Sequence, residues 1–457
     1  MQLWKSKPGD RRILASHFVG VTSVGAAQTY TPDIYVQEEA NYKVGHFRFY
    51  GVVNMNHTHA VEGRPDWAAW SRVANALRRA EVKEWTWCNF NIPAWLASRP
   101  IRGGEWQMCL PNDRAKWERM MTEVFDLYPE FNRLEVANEV MSGSDEPGKR
   151  PVLVGSHSGG LVRKSFWEGT PEELARLTEW CCDWRDTYNS LPSVQRKGRR
   201  VRVCAPSIPG FLGNVRPFAD WVGLNRDVIN RCDEMSLHLY YARAFHAIAP
   251  ASPDNGYVAW PEFLNTMRAA GIRADMPIGD GEHGFSGSVA PHELYNTAVA
   301  EAVGGLHNIT FFSTSQRQNN DAYLGMYNTV NTQRSIAHQQ AIEDAARDLN
   351  GKELLEVHDD GMFGRYRVVT RAVETPTPPD PTPPVDPVPP VDPTPPASDI
   401  LERLARLEAR IEEVSRNVTE LIGIFATLND RVASKVNDKI SGMRVLVSLD
   451  GTIIPRE

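Results

Sequence analysis

Eight short strand-like segments alternate with helical patterns over the first ~350 residues, and few folds accommodate that order. The segments are 17–24, 45–54, 83–91, 133–139, 201–206, 234–241, 276–282 and 308–315. Helix starts are legible between them. Thr31-Pro32 opens one, and Asn112-Asp113 precedes another that carries Trp117, Met120, Met121, Val124 and Leu127. Thr170-Pro-Glu-Glu173 reads as a capping box with proline at the first helical position, ahead of Leu174, Leu177, Cys181 and Trp184. Pro261 and Pro291 begin two more. Eight such repeats predict an α/β chain folded as a (β/α)8 TIM barrel. An open doubly wound sheet would carry a glycine-rich phosphate turn after an early strand, and none is present.

The barrel pattern stops at residues 374–397, ETPTPPDPTPPVDPVPPVDPTPPA. Proline at this density favours polyproline II, a semi-rigid spacer. The expected organisation is a catalytic barrel over 1–373, the linker 374–397, a coiled coil over 398–441 and a short β-like tail over 442–457. In the third segment Ile400, Leu404, Leu407, Ile411, Val414, Val418, Leu421, Phe425, Leu428 and Val432 step by four and three. Ile422 and Ile424 widen the apolar seam beyond what a dimer needs, and Arg403-Leu-Ala-Arg-Leu-Glu408 resembles a short trimer pattern, so a parallel homotrimer is expected. The competing reading is an amphipathic helix folded back on the barrel. The last residues alternate like a hairpin around Asp450-Gly451.

Composition narrows the partners. A net charge of −7 gives no basic footprint for nucleic acid. No run reaches ~18 apolar residues, so no membrane insertion is expected. The N-terminus lacks the apolar core of a secretory signal. Six cysteines without a C-x-x-C pair predict buried free thiols.

In a barrel of this kind the reactive groups collect at the C-terminal ends of the strands. The fourth ends in Asn138-Glu139, and strand parity groups Glu139 with Glu135 and Ala137, toward the axis. The seventh, Met276-Pro-Ile-Gly-Asp-Gly-Glu-His-Gly-Phe285, places Glu282 between glycines, with Asp280 sharing its parity as a rival. Two carboxylates facing one another across a barrel mouth suit glycoside hydrolysis, and ~5–5.5 Å between them suits retention.

These motifs resemble glycoside hydrolase clan A, the retaining glycosidases built on (β/α)8 barrels. "EVANEV" matches its Asn-Glu at strand four and "PIGDGEHG" its glutamate at strand seven. The stretch from Glu84 to Leu96 looks like a third strand of the β-xylosidase-like and exopolysaccharide-hydrolase branch, Ser236–Tyr240 resembles its His-x-Tyr at strand six, and Arg48 matches its strand-two arginine. The resemblance implies Glu139 as acid/base, Glu282 as nucleophile and Asn138 as donor to the sugar 2-hydroxyl. It further implies Arg48 and Tyr240 beside the nucleophile and His238 lining the subsite, with Trp87 and Trp95 as stacking platforms and no cofactor. One departure is the absence of a strand-eight tryptophan, for which Phe312 or Tyr323 would substitute.

Together, the modules look like a phage tail-associated depolymerase carried on the virion, acting on a bacterial polysaccharide. Otherwise the chain is an extracellular enzyme without a recognisable signal peptide. Two rival readings are a non-catalytic glycan-binding tail fibre, and a metal-dependent hydrolase using His57 and His59 with His157, His238 or Asp280.

Overall fold

A computed structural model describes residues 2–7, 11–24, 43–50, 55–89, 92–99, 108–140, 167–195, 198–209, 212–239, 260–284, 290–312, 336–359 and 364–373, with two short stretches at 446–447 and 453–454. Two compact units are present, Met1–Glu374 and Thr375–Glu457. In the second, Leu446–Val447 pairs antiparallel with Ile453–Ile454, bracketing Asp450-Gly451. The linker, the heptad segment and the helix expected at Thr31-Pro32 lie outside the described residues.

The first unit is an eight-stranded parallel barrel. Its strands, in chain order, are Val19–Val24, His46–Tyr50, Glu84–Cys88, Phe131–Glu135, Arg202–Cys204, Met235–His238, Ile278–His283 and Ile309–Phe312. Each pairs in parallel with the next from the first to the fifth and from the sixth to the eighth, and the eighth returns to the first. Closure between the fifth and sixth comes in two pieces: a parallel bridge from Cys204 to Glu234, then Ile208–Pro209 beside Leu237–His238.

Helices cover the outside, and the starts at Asp113, Thr170 and Pro291 are where the sequence placed them. Thr170 and Glu173 form the reciprocal box, with Glu173 N–H donating to Thr170 Oγ1 at 3.2 Å and Thr170 N–H to Glu173 Oε2 at 2.8 Å. The helix it starts, Pro171–Ser190, buries Leu174, Leu177, Cys181, Trp184 and Tyr188. Asp113 caps Arg114–Leu127 through Lys116 N–H, and that helix buries Trp117, Met120, Met121, Val124 and Phe125. Pro291 starts Pro291–Gly304, which Gly305 ends in a left-handed conformation at φ 81°. Among the described residues no helix is long and apolar enough to cross a membrane.

Between helices and strands lies a dense aromatic layer. Trp87 stacks on Trp70 at 5.0 Å, Trp70 on Phe49 at 4.9 Å, and Phe131 closes edge-on against Trp87 at 5.4 Å. Burying side chains of this size stabilises by roughly 1.5–3 kcal/mol each, which makes this layer a principal source of fold stability. All six cysteines are buried and unbridged, with Cys182 and Cys232 nearest at 3.9 Å.

The barrel axis is unlike the aliphatic filling of many such barrels. Arg133 pairs there with Glu234, and Arg202 and His17 both meet Glu84, at 2.8 and 2.9 Å. Burial works against the charge on Glu84, yet His17 and Arg202 push its carboxyl down to about 2.

One element was not expected. Gln2–Lys5, Arg12–Ile13, Lys352–Asp359 and Tyr366–Ala372 form a four-stranded antiparallel sheet. The two ends of the 1–373 segment therefore pair with one another instead of merely flanking the barrel.

Candidate active site

Arg48 is the hub of the barrel's C-terminal mouth. It stands on strand two with its side chain fully buried toward the axis. Nε and Nη2 donate to the two oxygens of Glu135 at 2.6 and 2.8 Å, and Nη1 donates to Glu282 Oε1 at 2.5 Å. Nη2 also donates to Asn138 Oδ1 at 2.7 Å. Burial opposes the guanidinium charge, and the two glutamates outweigh it, holding Arg48 well above its ordinary pKa. Glu135 responds in kind: burial alone would raise it, but the charge and hydrogen bonds of Arg48 hold it below the usual carboxylate range. Ser207 adds a hydrogen bond to Glu135 at 2.8 Å.

The contact with Arg48 also orients the Asn138 amide. With Oδ1 turned to the guanidinium, Nδ2 is the group left over. It is buried and has no hydrogen-bond partner among the described residues. A buried donor without a partner is costly unless something else accepts from it.

Glu139 reaches the mouth by an unexpected route. Strand four ends at Glu135, so parity does not carry on to residue 139. The chain continues irregularly beside strand five, with Val136 N–H on Cys204 O and Ser207 N–H on Ala137 O, both at 3.0 Å. Glu139 itself sits at φ 41°, a left-handed conformation rare for a residue with a side chain. Its N–H is 3.2 Å from Ser207 Oγ. The side chain is one-fifth exposed, and Oε1 lies 3.0 Å from His238 Nδ1.

His238 joins the two glutamates. The same Nδ1 lies 3.6 Å from Glu282 Oε2. A carboxylate oxygen of Glu139 and one of Glu282 lie within 4.8 Å of each other. Burial disfavours a charged imidazole at this position, but Glu282 and Glu139 raise His238 above its ordinary pKa.

On strand seven the glycines are required by space. A Cβ on Gly279 would stand 2.1 Å from Asn308 Oδ1, and one on Gly281 would stand 2.0 Å from Ser236 Oγ. The register against strand eight shifts between Asp280 and His283. This bulge corrects the parity expected for Asp280. Glu282 meets Arg48 on the axis, whereas Asp280 meets His283 at 2.7 Å in a group that includes Glu301 of the outer helix.

Other expected residues are placed elsewhere. Trp87 is buried against Trp70 and Phe131 on the helix side of strand three, because Thr86 and Cys88 take the axial positions next to Arg48 and Glu135. It is a core residue, not a sugar platform. Trp95 is partly buried, and its indole N–H is committed to His59 O at 2.6 Å. His59 has its Nδ1 2.8 Å from Thr58 Oγ1 and its ring edge-on to Trp67, outside any cluster of ligating groups among the described residues. Tyr240, Tyr323, His157 and the side chains of His57 and Phe312 lie outside the described residues.

Among the described residues, two groups bring histidine and carboxylate donors within 4.8 Å: Glu139, His238 and Glu282, and Asp280, His283 and Glu301. Their closest contacts, 3.0 and 2.7 Å, are hydrogen-bond lengths. Donors around a tetrahedral zinc stand farther apart, at about 3.3 Å. Both groups therefore fit shared protons better than a shared ion.

No family profile matches the chain, and no curated protein sequence matches it. Solved structures similar to it include glycoside hydrolases. A glucosidase from Croceicoccus marinus is 12% identical, over 74% of this chain and 69% of that one, with a TM-score of 0.47. A family 39 glycoside hydrolase from Bacteroides cellulosilyticus WH2 is 13% identical, over 76% and 68%, at 0.46. An endo-beta-1,4-glucanase from Xanthomonas axonopodis pv. citri is 10% identical, over 73% and 99%, at 0.44. At such identities and TM-scores the likeness carries no argument about this chain. The barrel described above rests on its own strand pairing.

Proposed function

We propose that this chain is a retaining glycoside hydrolase. The observation that carries the reading is the approach of Glu139 and Glu282 to within 4.8 Å across His238 at the C-terminal end of the barrel. That approach suits double displacement, in which the two carboxyl groups stand ~5–5.5 Å apart. Glu282, paired with Arg48, attacks the anomeric carbon. Glu139 protonates the departing glycosidic oxygen, then takes a proton from the water that releases the sugar. Asn138 Nδ2 is available to donate to the sugar hydroxyl next to the anomeric carbon.

The substrate we propose is a bacterial surface or extracellular polysaccharide, and the setting a phage tail. The support is modular: a barrel, a proline spacer and an unbroken heptad run that suits a parallel trimer. Three linked sites on a repetitive polymer gain avidity without any new contact. The test is release of reducing ends from a panel of capsular and exopolysaccharides by wild type, Glu139→Gln and Glu282→Gln. Hydrolysis lost in both variants supports the enzyme. Tight binding with no hydrolysis by wild type supports the glycan-binding fibre instead. A full-length chain that stays monomeric at all concentrations refutes the trimer.

A further inference from the structure

Behind the nucleophile, away from the mouth, lies a second group of ionisable side chains that the chemistry above does not use. Asp280 and His283 of strand seven and Glu301 of the helix Pro291–Gly304 are completely buried together. Asp280 Oδ2 is 2.7 Å from His283 Nδ1, which is also 3.0 Å from Glu301 Oε1. Burial opposes a charged His283, but Asp280 and Glu301 overcome it and push its pKa up to about 10. Burial and the nearby Asp280 also raise Glu301, to well above the carboxylate range.

The other oxygen of Asp280 faces the backbone. Oδ1 accepts from Glu282 N–H at 3.2 Å and from Leu239 N–H at 3.1 Å. These two bonds tie the bulge that presents Glu282 to the end of strand six, one residue past His238. His283 is braced on the far side by Phe311 of strand eight, edge-on at 6.1 Å. Three buried ionisable groups stabilise a fold no better than well-packed apolar residues of similar volume, and often less well. Their geometry instead fixes one stretch of backbone from strand six, strand eight and the outer helix.

We propose that Asp280, His283 and Glu301 are a positioning triad that holds the strand-seven bulge and so sets where the Glu282 carboxylate stands. The placement of Glu282 stands on geometry alone, and only its bearing on kcat rests on Glu282 being the nucleophile. None of the three is assigned a contact with substrate.

The test compares Asp280→Asn, Glu301→Gln and Glu301→Leu in the full-length protein. Glutamine keeps the shape of Glu301 and its capacity to hydrogen-bond, whereas leucine cannot hydrogen-bond. On whichever polysaccharide wild type cleaves, Asp280→Asn and Glu301→Leu should lower kcat by about 100-fold with little change in KM, as a ~1 Å misplacement does. Glu301→Gln should stay close to wild type. An activity-independent readout is the NMR titration of His238, whose ring faces Glu139, Glu282 and Arg48. Its midpoint should move by about half a unit or more in Glu301→Leu and stay in place in Glu301→Gln. That readout separates the two claims. If wild type cleaves no glycan while the His238 midpoint moves as expected, the hydrolase reading fails and the positioning claim stands. If Asp280→Asn does not fold, the two Glu301 variants decide. Wild-type kcat and an unmoved His238 midpoint in Glu301→Leu overturn the proposal. So does a stoichiometric metal ion in the purified protein that Glu301→Gln loses.

Discussion

The ends of strands four and seven each deliver a glutamate to the same point, and they are built in opposite ways. Glu282 lies within its strand, buried, with a short bond to Arg48 and its backbone pinned by Asp280. Glu139 lies four residues past the end of its strand, one-fifth exposed, on a left-handed backbone, touching His238. The contrast matches the two tasks proposed for these residues. A nucleophile must stay ionised and aligned, which a buried arginine and a rigid backbone provide. An acid/base gives up and regains a proton in each turnover, so access to solvent serves it.

Substitutions can break this comparison. Glu282→Gln should lower kcat/KM by about four orders of magnitude or more on every substrate, since it removes the proposed nucleophile. Glu139→Gln should cost about 10²–10⁴-fold on a natural glycan and far less on an aryl glycoside whose leaving group needs no proton. Equal losses on both substrates would mean the roles are misassigned. Arg48→Met leaves Glu135 and Glu282 buried without their cation and should lower unfolding free energy by about 3–5 kcal/mol in urea. A loss under about 1 kcal/mol would mean the charges are not locked as described.

Alkaline pH should loosen the strand-seven side selectively. His283 is raised from 6.5 to about 10, so its contribution is complete below about 6.5 and disappears as pH rises through about 10. Melting temperature should fall over that interval in wild type. In His283→Asn it should start lower and fall less. Parallel curves would remove His283 from the account. The smallest effect is expected from Asn138→Ala, about tenfold on a sugar with its 2-hydroxyl and none on the 2-deoxy analogue.

Much of the barrel was legible because short strand-like segments alternate with helical patterns, and the capping box at Thr170 marks a boundary by chemistry alone. Glu282 was legible from its glycine neighbours. The rest turned on which side of a strand a residue faces, and parity fails where regular pairing stops. It failed at the bulge, where Asp280 turns to the outer helix, and past Glu135, where no local pattern announces a left-handed glutamate. Trp87 was misjudged because an aromatic near a barrel mouth suits a platform and a core equally, and only its register beside Thr86 decides. Glu135 was seen only as a parity mate of Glu139. A lone acid between Leu134 and Val136, in a barrel with a strand-two arginine, was the available signal. The small outer sheet pairs residues 2–5 with residues 356–358, a long-range match that no local window contains.

The most direct test is the stereochemistry of the first product. Proton NMR during hydrolysis of the cleaved glycan should show the new reducing end first in the anomeric configuration of the bond that was cut, before mutarotation. The opposite anomer appearing first would mean inversion, and would contradict the close pairing of Glu139 and Glu282 on which the account rests.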